Sequence, residues 1–216
     1  MDYINQEWKT KILDIEFINH FNLLVGSKLN IPEKNVYEFM DWAPNERYYI
    51  SWKAARYAYN LSGDFVQCGV FKGEEAFYMA KECISTLHLF DSWSGAENLG
   101  QYDNDYYINN QFKCSIDDAK TTLSEFNNLE FHRGRVPFNF DKVNKISFLN
   151  IDLDLYEPTK ISLECLWPKV VDHGIALIDF HDGVSTGAEK ATIDYFKETK
   201  YELKVLPTGK CMVVKE

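Results

Sequence analysis

The sequence predicts an α/β fold in which a mostly parallel sheet is covered by helices on both faces. Three observations carry this. From residue 64 onward, short apolar strand-like runs alternate with stretches of helical period, the pattern of parallel strands joined by right-handed crossovers. A turn signal, Pro207-Thr208-Gly209, lies between the last two runs and adds an antiparallel hairpin at the C-terminus. The chain has 216 residues, 45% of them hydrophobic and 15% aromatic, enough for one sizeable core with an appendage.

Taken in order, residues 6–24 place Trp8, Ile12, Ile15, Phe17 or Ile18, Phe21 and Leu24 at intervals of three to four, which predicts an amphipathic helix. Ile31-Pro32 breaks it, and a second helix is expected over Asn45–Leu61. Residues 1–62 therefore read as an N-terminal helical cap, ahead of a ligand-binding domain over 63–216. Phe65–Cys68 is the first strand and runs into Gly69 and Gly73, after which Glu74–Cys83 reads as a helix. Leu87–Phe90 forms the second strand and ends at Asp91. Residues 94–112 are rich in Tyr and Asn without a period, as a long loop or lid would be. A Ser-x-x-Asp start (Ser115, Asp118) predicts a capping box opening a helix to Phe126. Strands follow at Leu129–His132, Lys145–Asp152 and Ile175–Asp179, the last entered through His173-Gly174. Helices are expected at Glu157–Leu166 and Ala188–Thr199, and the hairpin pairs Glu202–Leu206 with Cys211–Val214.

Composition narrows the function. The 33 acidic residues against 23 basic ones give a net charge of −10 with no basic cluster, which argues against a phosphate-tracking nucleic-acid binder. No apolar run approaches the roughly 20 residues of a membrane span, and no secretory signal is visible. The five cysteines are scattered, odd in number and never C-x-x-C, so a reduced cytoplasmic setting is expected. Aromatics in the N-terminal helix would suit self-association into a homo-oligomer.

Ligands of such sheets bind at the carboxyl ends of the strands. The Gly69–Gly73 turn lacks a Cβ at two points, so backbone can approach a ligand and present N–H groups there. A plain tight turn would look the same. Asp91 ends the second strand, where a carboxylate can accept hydrogen bonds from a ribose diol. Strand alternation points Asp152 and Asp154 the same way, which is costly without a compensating cation, proton or hydrogen bond. One of the two is also expected to cap the following helix. His181, after Asp179 and before Asp182, is a candidate base or metal ligand. His132, beside Arg133-Gly134, is a candidate for lining a cofactor pocket; His20, His88 and His173 read as packed or solvated.

Gly63-Asp64-Phe65-Val66-Gln67-Cys68-Gly69-Val70-Phe71-Lys72-Gly73, Leu89-Phe90-Asp91-Ser92-Trp93, Ile151-Asp152-Leu153-Asp154-Leu155-Tyr156-Glu157-Pro158-Thr159 and Gly187-Ala188-Glu189-Lys190-Ala191 resemble, in order and spacing, motifs of the macrocin O-methyltransferase family. The resemblance spans roughly residues 45–200. It implies a Rossmann-like class I methyltransferase fold with a seven-stranded sheet, S-adenosylmethionine as methyl donor, and a sugar hydroxyl as acceptor. It implies that Gly69 and Gly73 flank the methionine part of the donor and that Asp91 binds its ribose. Gln67 and Ser92, in the same motifs, complete the candidate donor-binding set with His132. The family commonly places magnesium on an Asp like Asp152 and on two consecutive Asp residues at the position of Asp179-Phe180. In this chain Phe180 cannot ligate a metal, and Gln67 stands where the family has Glu.

A sugar hydroxyl must lose its proton as it takes up the methyl group. Asp152 is the expected support of that oxygen, directly or through a metal, with Asp179 beside it; His181 is the expected base if no metal binds. Three alternatives stay open from the residues alone. One is methylation of an amine or a phenol, and another is a non-catalytic cofactor-binding homologue. The third, a nicotinamide-dependent oxidoreductase, fits poorly because Phe71 occupies the place of the second fingerprint glycine.

Overall fold

The computed structural model describes residues 44–180, 185–206 and 208–216. The predicted helix over residues 6–24 and the candidate base His181 lie outside them. The described elements are α1 (Pro44–Ala58), β1 (Asp64–Cys68), α2 (Glu74–Ala80), β2 (Leu87–Asp91), α3 (Ile116–Thr122), β3 (Leu129–Arg133) and β4 (Ile146–Ile151). They continue with α4 (Tyr156–Leu166), β5 (Val170–Asp179), α5 (Thr186–Phe196), β6 (Lys204–Val205) and β7 (Lys210–Val214).

The strands form one seven-stranded sheet in the order β3-β2-β1-β4-β5-β7-β6. Pairings among β1 to β5 are parallel, and β7 is antiparallel to both β5 and β6. The antiparallel strand thus sits one place in from the edge, and the two-residue β6 forms the edge. An edge that short offers little backbone for another chain to pair with.

Period-two alternation divides the core into two layers. Phe65, Leu89, Phe148 and Leu177 point to one face and meet α1, α2 and Leu123. Val66, Phe90, Leu149 and Ile178 point to the other and meet α4, Trp167 and Phe196. Every residue of β4 is buried, as expected for a central strand covered on both faces. Phe65 and Phe148 meet edge to face at 5.6 Å, and truncating such a buried ring costs about 3–5 kcal/mol.

Helix α1 opens with Pro44 at its first position, where a missing N–H costs nothing. It buries Tyr49, Trp52, Ala55 and Ala58 in the same core layer as α2, so its inner face is continuous with the sheet domain. Helix α3 opens with the predicted capping box: the Ser115 side chain accepts from Asp117 N–H, and Asp118 reaches back to Ser115 N–H. Strand β5 differs from expectation, beginning at Val170 and running through His173-Gly174. His173 takes a left-handed φ of 63°, and the register against β4 shifts between Ile146 and Phe148, so the turn signal is an irregularity inside one strand.

Candidate active site

The chain leaves β1 for β2 and β3 on one side of the sheet and β4 and β5 on the other. The switch point between β1 and β4 opens a crevice at their carboxyl ends, and a cavity of about 560 Å³ lies there. Gly69 sits at its floor with φ +85°. A Cβ on Gly69 would stand 1.7 Å from the Asp152 carbonyl oxygen, because Asp152 N–H donates to Cys68 O at 2.7 Å and draws the two chains together. The glycine is therefore required by the crossing of β1 and β4, whatever binds above it.

The turn that follows is tied to the neighbouring strand. Asp91 Oδ2 accepts from Val70 N–H at 2.7 Å and from Phe71 N–H at 2.8 Å, while Oδ1 accepts from Trp93 N–H at 2.6 Å. An ionised carboxylate has about four acceptor sites, so Asp91 keeps capacity for a further donor. Gln67 is buried in the cavity wall; its Nε2 donates to Gly69 O at 2.9 Å, and its Oε1 has no partner among the described residues. A buried acceptor without a donor is costly unless a ligand supplies one.

At the far wall four carboxylates meet two cations. Arg47, from α1, donates to Asp179 and, at 3.4 Å, to Asp152. Lys210 Nζ lies 2.9 Å from Glu75, 3.4 Å from Asp179 and 3.7 Å from Asp152. Glu75 also accepts from Ser51. Asp154, with a left-handed φ of 61°, accepts on Oδ1 from Tyr107 at 3.1 Å and from Ser185 at 3.2 Å.

These neighbours set the charges. Burial disfavours the Glu75 carboxylate, but Lys210 first and then Asp152, Arg47 and Ser51 outweigh it and hold Glu75 below its ordinary range. Burial, followed by the charges of Asp179 and Asp152, pushes Asp154 well above the usual carboxylate range. Asp179 is pushed up to about 6, chiefly by burial and against the pull of Arg47 and Lys210. Burial opposes charge on Lys210, yet the carboxylates around it keep its ammonium protonated far beyond neutrality.

The structure brings Gln67, Gly69, Asp91, Ser92 and Asp152 to one cavity, with Asp179 bonded to Arg47 in its wall. Gly73 lies just below, at the start of α2 and against Leu123. His132 does not line the cavity. It is buried against Phe90, with ring centroids 4.2 Å apart, and its Nε2 lies 3.1 Å from His88 Nδ1. With the two centroids 5.3 Å apart, these nitrogens face each other head-on, the geometry of a shared hydrogen bond rather than of two lone pairs converging on a metal.

Asp152, Asp154 and Asp179 each offer an oxygen, all within 4.8 Å of one another, and hard oxygen donors suit magnesium. Two features of the described residues count against that ion. Lys210 and Arg47 already hold oxygens of Asp152 and Asp179, and Phe180, buried beside Asp179, supplies no ligand. The residues present do not fit the metal.

Four contributors to the site carry little local signal in the sequence: Arg47, Lys210, Tyr107 and Asp154 in its present role. Asp154 does not cap α4. The side chain serving the first N–H of that helix is Asp103 of the 94–112 loop, which accepts from Tyr156 N–H at 2.7 Å. The loop is thereby fastened to α4, while Tyr102, Tyr106 and Phe112 remain exposed on it.

No curated protein matches the chain by direct sequence search. Among solved structures, the O-methyltransferase NovP superposes with a TM-score of 0.68 at 18% identity, covering 93% of this chain and 98% of that one. CalS11, described as a calicheamicin methyltransferase, gives 0.68 at 18% identity, covering 92% and 91%. An O-methyltransferase from Bacillus cereus in complex with SAH gives 0.51 at 11%, covering 97% and 96%. These likenesses establish the fold. A model of the macrocin-O-methyltransferase (TylF) family matches residues 54–206, some seven-tenths of the sequence, and the chain belongs to that family of S-adenosylmethionine-dependent O-methyltransferases.

Proposed function

We propose that the chain methylates a sugar hydroxyl, with the donor over the Gly69–Gly73 turn and the acceptor oxygen beside Asp154. The observation that carries this is the meeting, in one cavity, of an unpaired Gln67 acceptor, the Asp91-tied turn and the Asp152–Asp154 carboxylates. CalS11 is described as a TDP-rhamnose 3′-O-methyltransferase, which favours a sugar acceptor. Exposed Tyr102, Tyr106 and Phe112 offer aromatic faces suited to one.

S-adenosylmethionine supplies a methyl group activated by a sulfonium for in-line displacement. Gln67 Oε1 accepts a hydrogen bond from the donor's amino group, and Asp91 accepts from its ribose; Ser92 lies beside that carboxylate. Asp154 takes the proton from the acceptor hydroxyl. Its two hydrogen bonds fall on Oδ1, which leaves Oδ2 for that proton. Asp152, held by Arg47 and Lys210, orients the acceptor, and His181 is a second candidate base. The five unpaired cysteines favour a reduced cytoplasmic setting, and the aromatic residues of the 6–24 segment favour self-association.

The test is a screen of free, nucleotide-linked and glycoside sugars by mass spectrometry. The expected product is one methylene heavier and shows methylation on oxygen. A chain that methylates amines or phenols but no sugar would refute the acceptor class.

A further inference from the structure

The carboxylate cluster holds its own cations, and their placement differs in kind. Lys210 is fully buried on β7 and is paired in register with Asp179 of β5, so its main chain cannot withdraw without breaking the sheet. Its ammonium is surrounded by Glu75 at 2.9 Å, Asn150 Oδ1 at 3.1 Å, Asp179 at 3.4 Å and Asp152 at 3.7 Å. An ammonium has three protons to donate, and four oxygens already face it. A lysine cut off from water persists only when paired in this way. Arg47 completes the enclosure from the partly exposed side, bridging Asp179 and Asp152.

We infer that Lys210 and Arg47 fill the electrostatic role of a divalent ion in this site, and that the chain binds neither magnesium nor manganese at Asp152, Asp154 and Asp179. The inference rests on the acceptor position proposed above. A magnesium ion lies about 2.1 Å from its oxygen ligands, so on Asp179 Oδ1 it would stand at most about 5.5 Å from the Lys210 ammonium. It would also have to displace the Arg47 guanidinium from both carboxylates. Phe180, buried beside Asp179, supplies no ligand. Lys210 and Arg47 are thus positioning residues: they keep Asp152 and Asp179 in place next to the cavity and neutralise part of their charge, which a resident metal would otherwise do.

Manganese binding, read from the free-ion electron paramagnetic resonance signal, tests this on chelator-treated protein with no acceptor present. Wild type is expected to show no saturable binding up to about 1 mM. Lys210→Met and Arg47→Met, which vacate the inner and outer cation positions, are each expected to bind manganese at least about tenfold more tightly than wild type. Stoichiometric binding by wild type that disappears in Asp152→Asn would overturn the inference, as would folded Met variants that gain no affinity. If Lys210→Met does not fold, Arg47→Met carries the comparison, since that side chain reaches solvent. Because the titration uses no sugar, a failed acceptor screen leaves its result standing.

Discussion

Replacing Asp91 with Ala separates the two jobs of one carboxylate, clamping the turn and binding the donor. Asp91 accepts three backbone N–H groups, from Val70, Phe71 and Trp93. Val70 and Trp93 are both 3% exposed, so their N–H groups have little access to water, whereas Phe71 is 39% exposed and can be solvated. Each stranded buried donor costs about 1–3 kcal/mol, so with two of them the variant should lose roughly 2–6 kcal/mol of folding stability. A ribose bonded to the same carboxylate adds a charged hydrogen bond worth about 1.5–3 kcal/mol, so affinity for S-adenosylhomocysteine should fall by roughly 10- to 150-fold. Urea denaturation reads the first effect and calorimetric titration the second. Asp91→Asn, which keeps one acceptor oxygen, should recover part of the stability. A variant that loses stability but binds S-adenosylhomocysteine as wild type does would reduce Asp91 to a clamp on the turn and refute its place in the donor site.

Asp154→Asn should lower turnover about 10²–10⁴-fold in single-turnover assays while leaving S-adenosylhomocysteine affinity within about twofold of wild type; equal losses in both would remove Asp154 as the base. Gly69→Ala should cost more than about 2 kcal/mol by denaturation, because its φ of +85° is strained for a side chain and the added Cβ meets the Asp152 carbonyl. A neutral result would contradict the close crossing of β1 and β4. Of the five cysteines, Cys114 and Cys165 should react with a thiol reagent in the native protein. Cys68, Cys83 and Cys211 should react only on unfolding, since they are buried and burial pushes the Cys83 thiol up to about 11 and that of Cys211 up to about 12.

What could be read from the sequence was local. The short apolar runs Phe65–Cys68 and Leu87–Phe90 marked strands because each is buried on both faces, and the Ser115–Asp118 box marked a helix start because its bonds close within four residues. His173-Gly174 misled for the same reason: a left-handed residue next to glycine looks like a turn, and only pairing with β4 shows it to be inside a strand. The charges of the site had no such signal. Arg47 lies 105 residues from Asp152 and 132 from Asp179, and Lys210 reaches them through strand pairing across β5 and β7. Asp154 was visible as a carboxylate, but its role depends on Tyr107 from a loop without any period.

The central claim is that the crevice between β1 and β4 holds the methyl donor. Calorimetric titration of the chain with S-adenosylhomocysteine, and separately with NAD, tests it most directly. One equivalent of S-adenosylhomocysteine should bind, more weakly in Gln67→Leu, and NAD should give no heat of binding. Saturable binding of NAD, or S-adenosylhomocysteine affinity unaltered by Gln67→Leu and Asp91→Ala together, would contradict it.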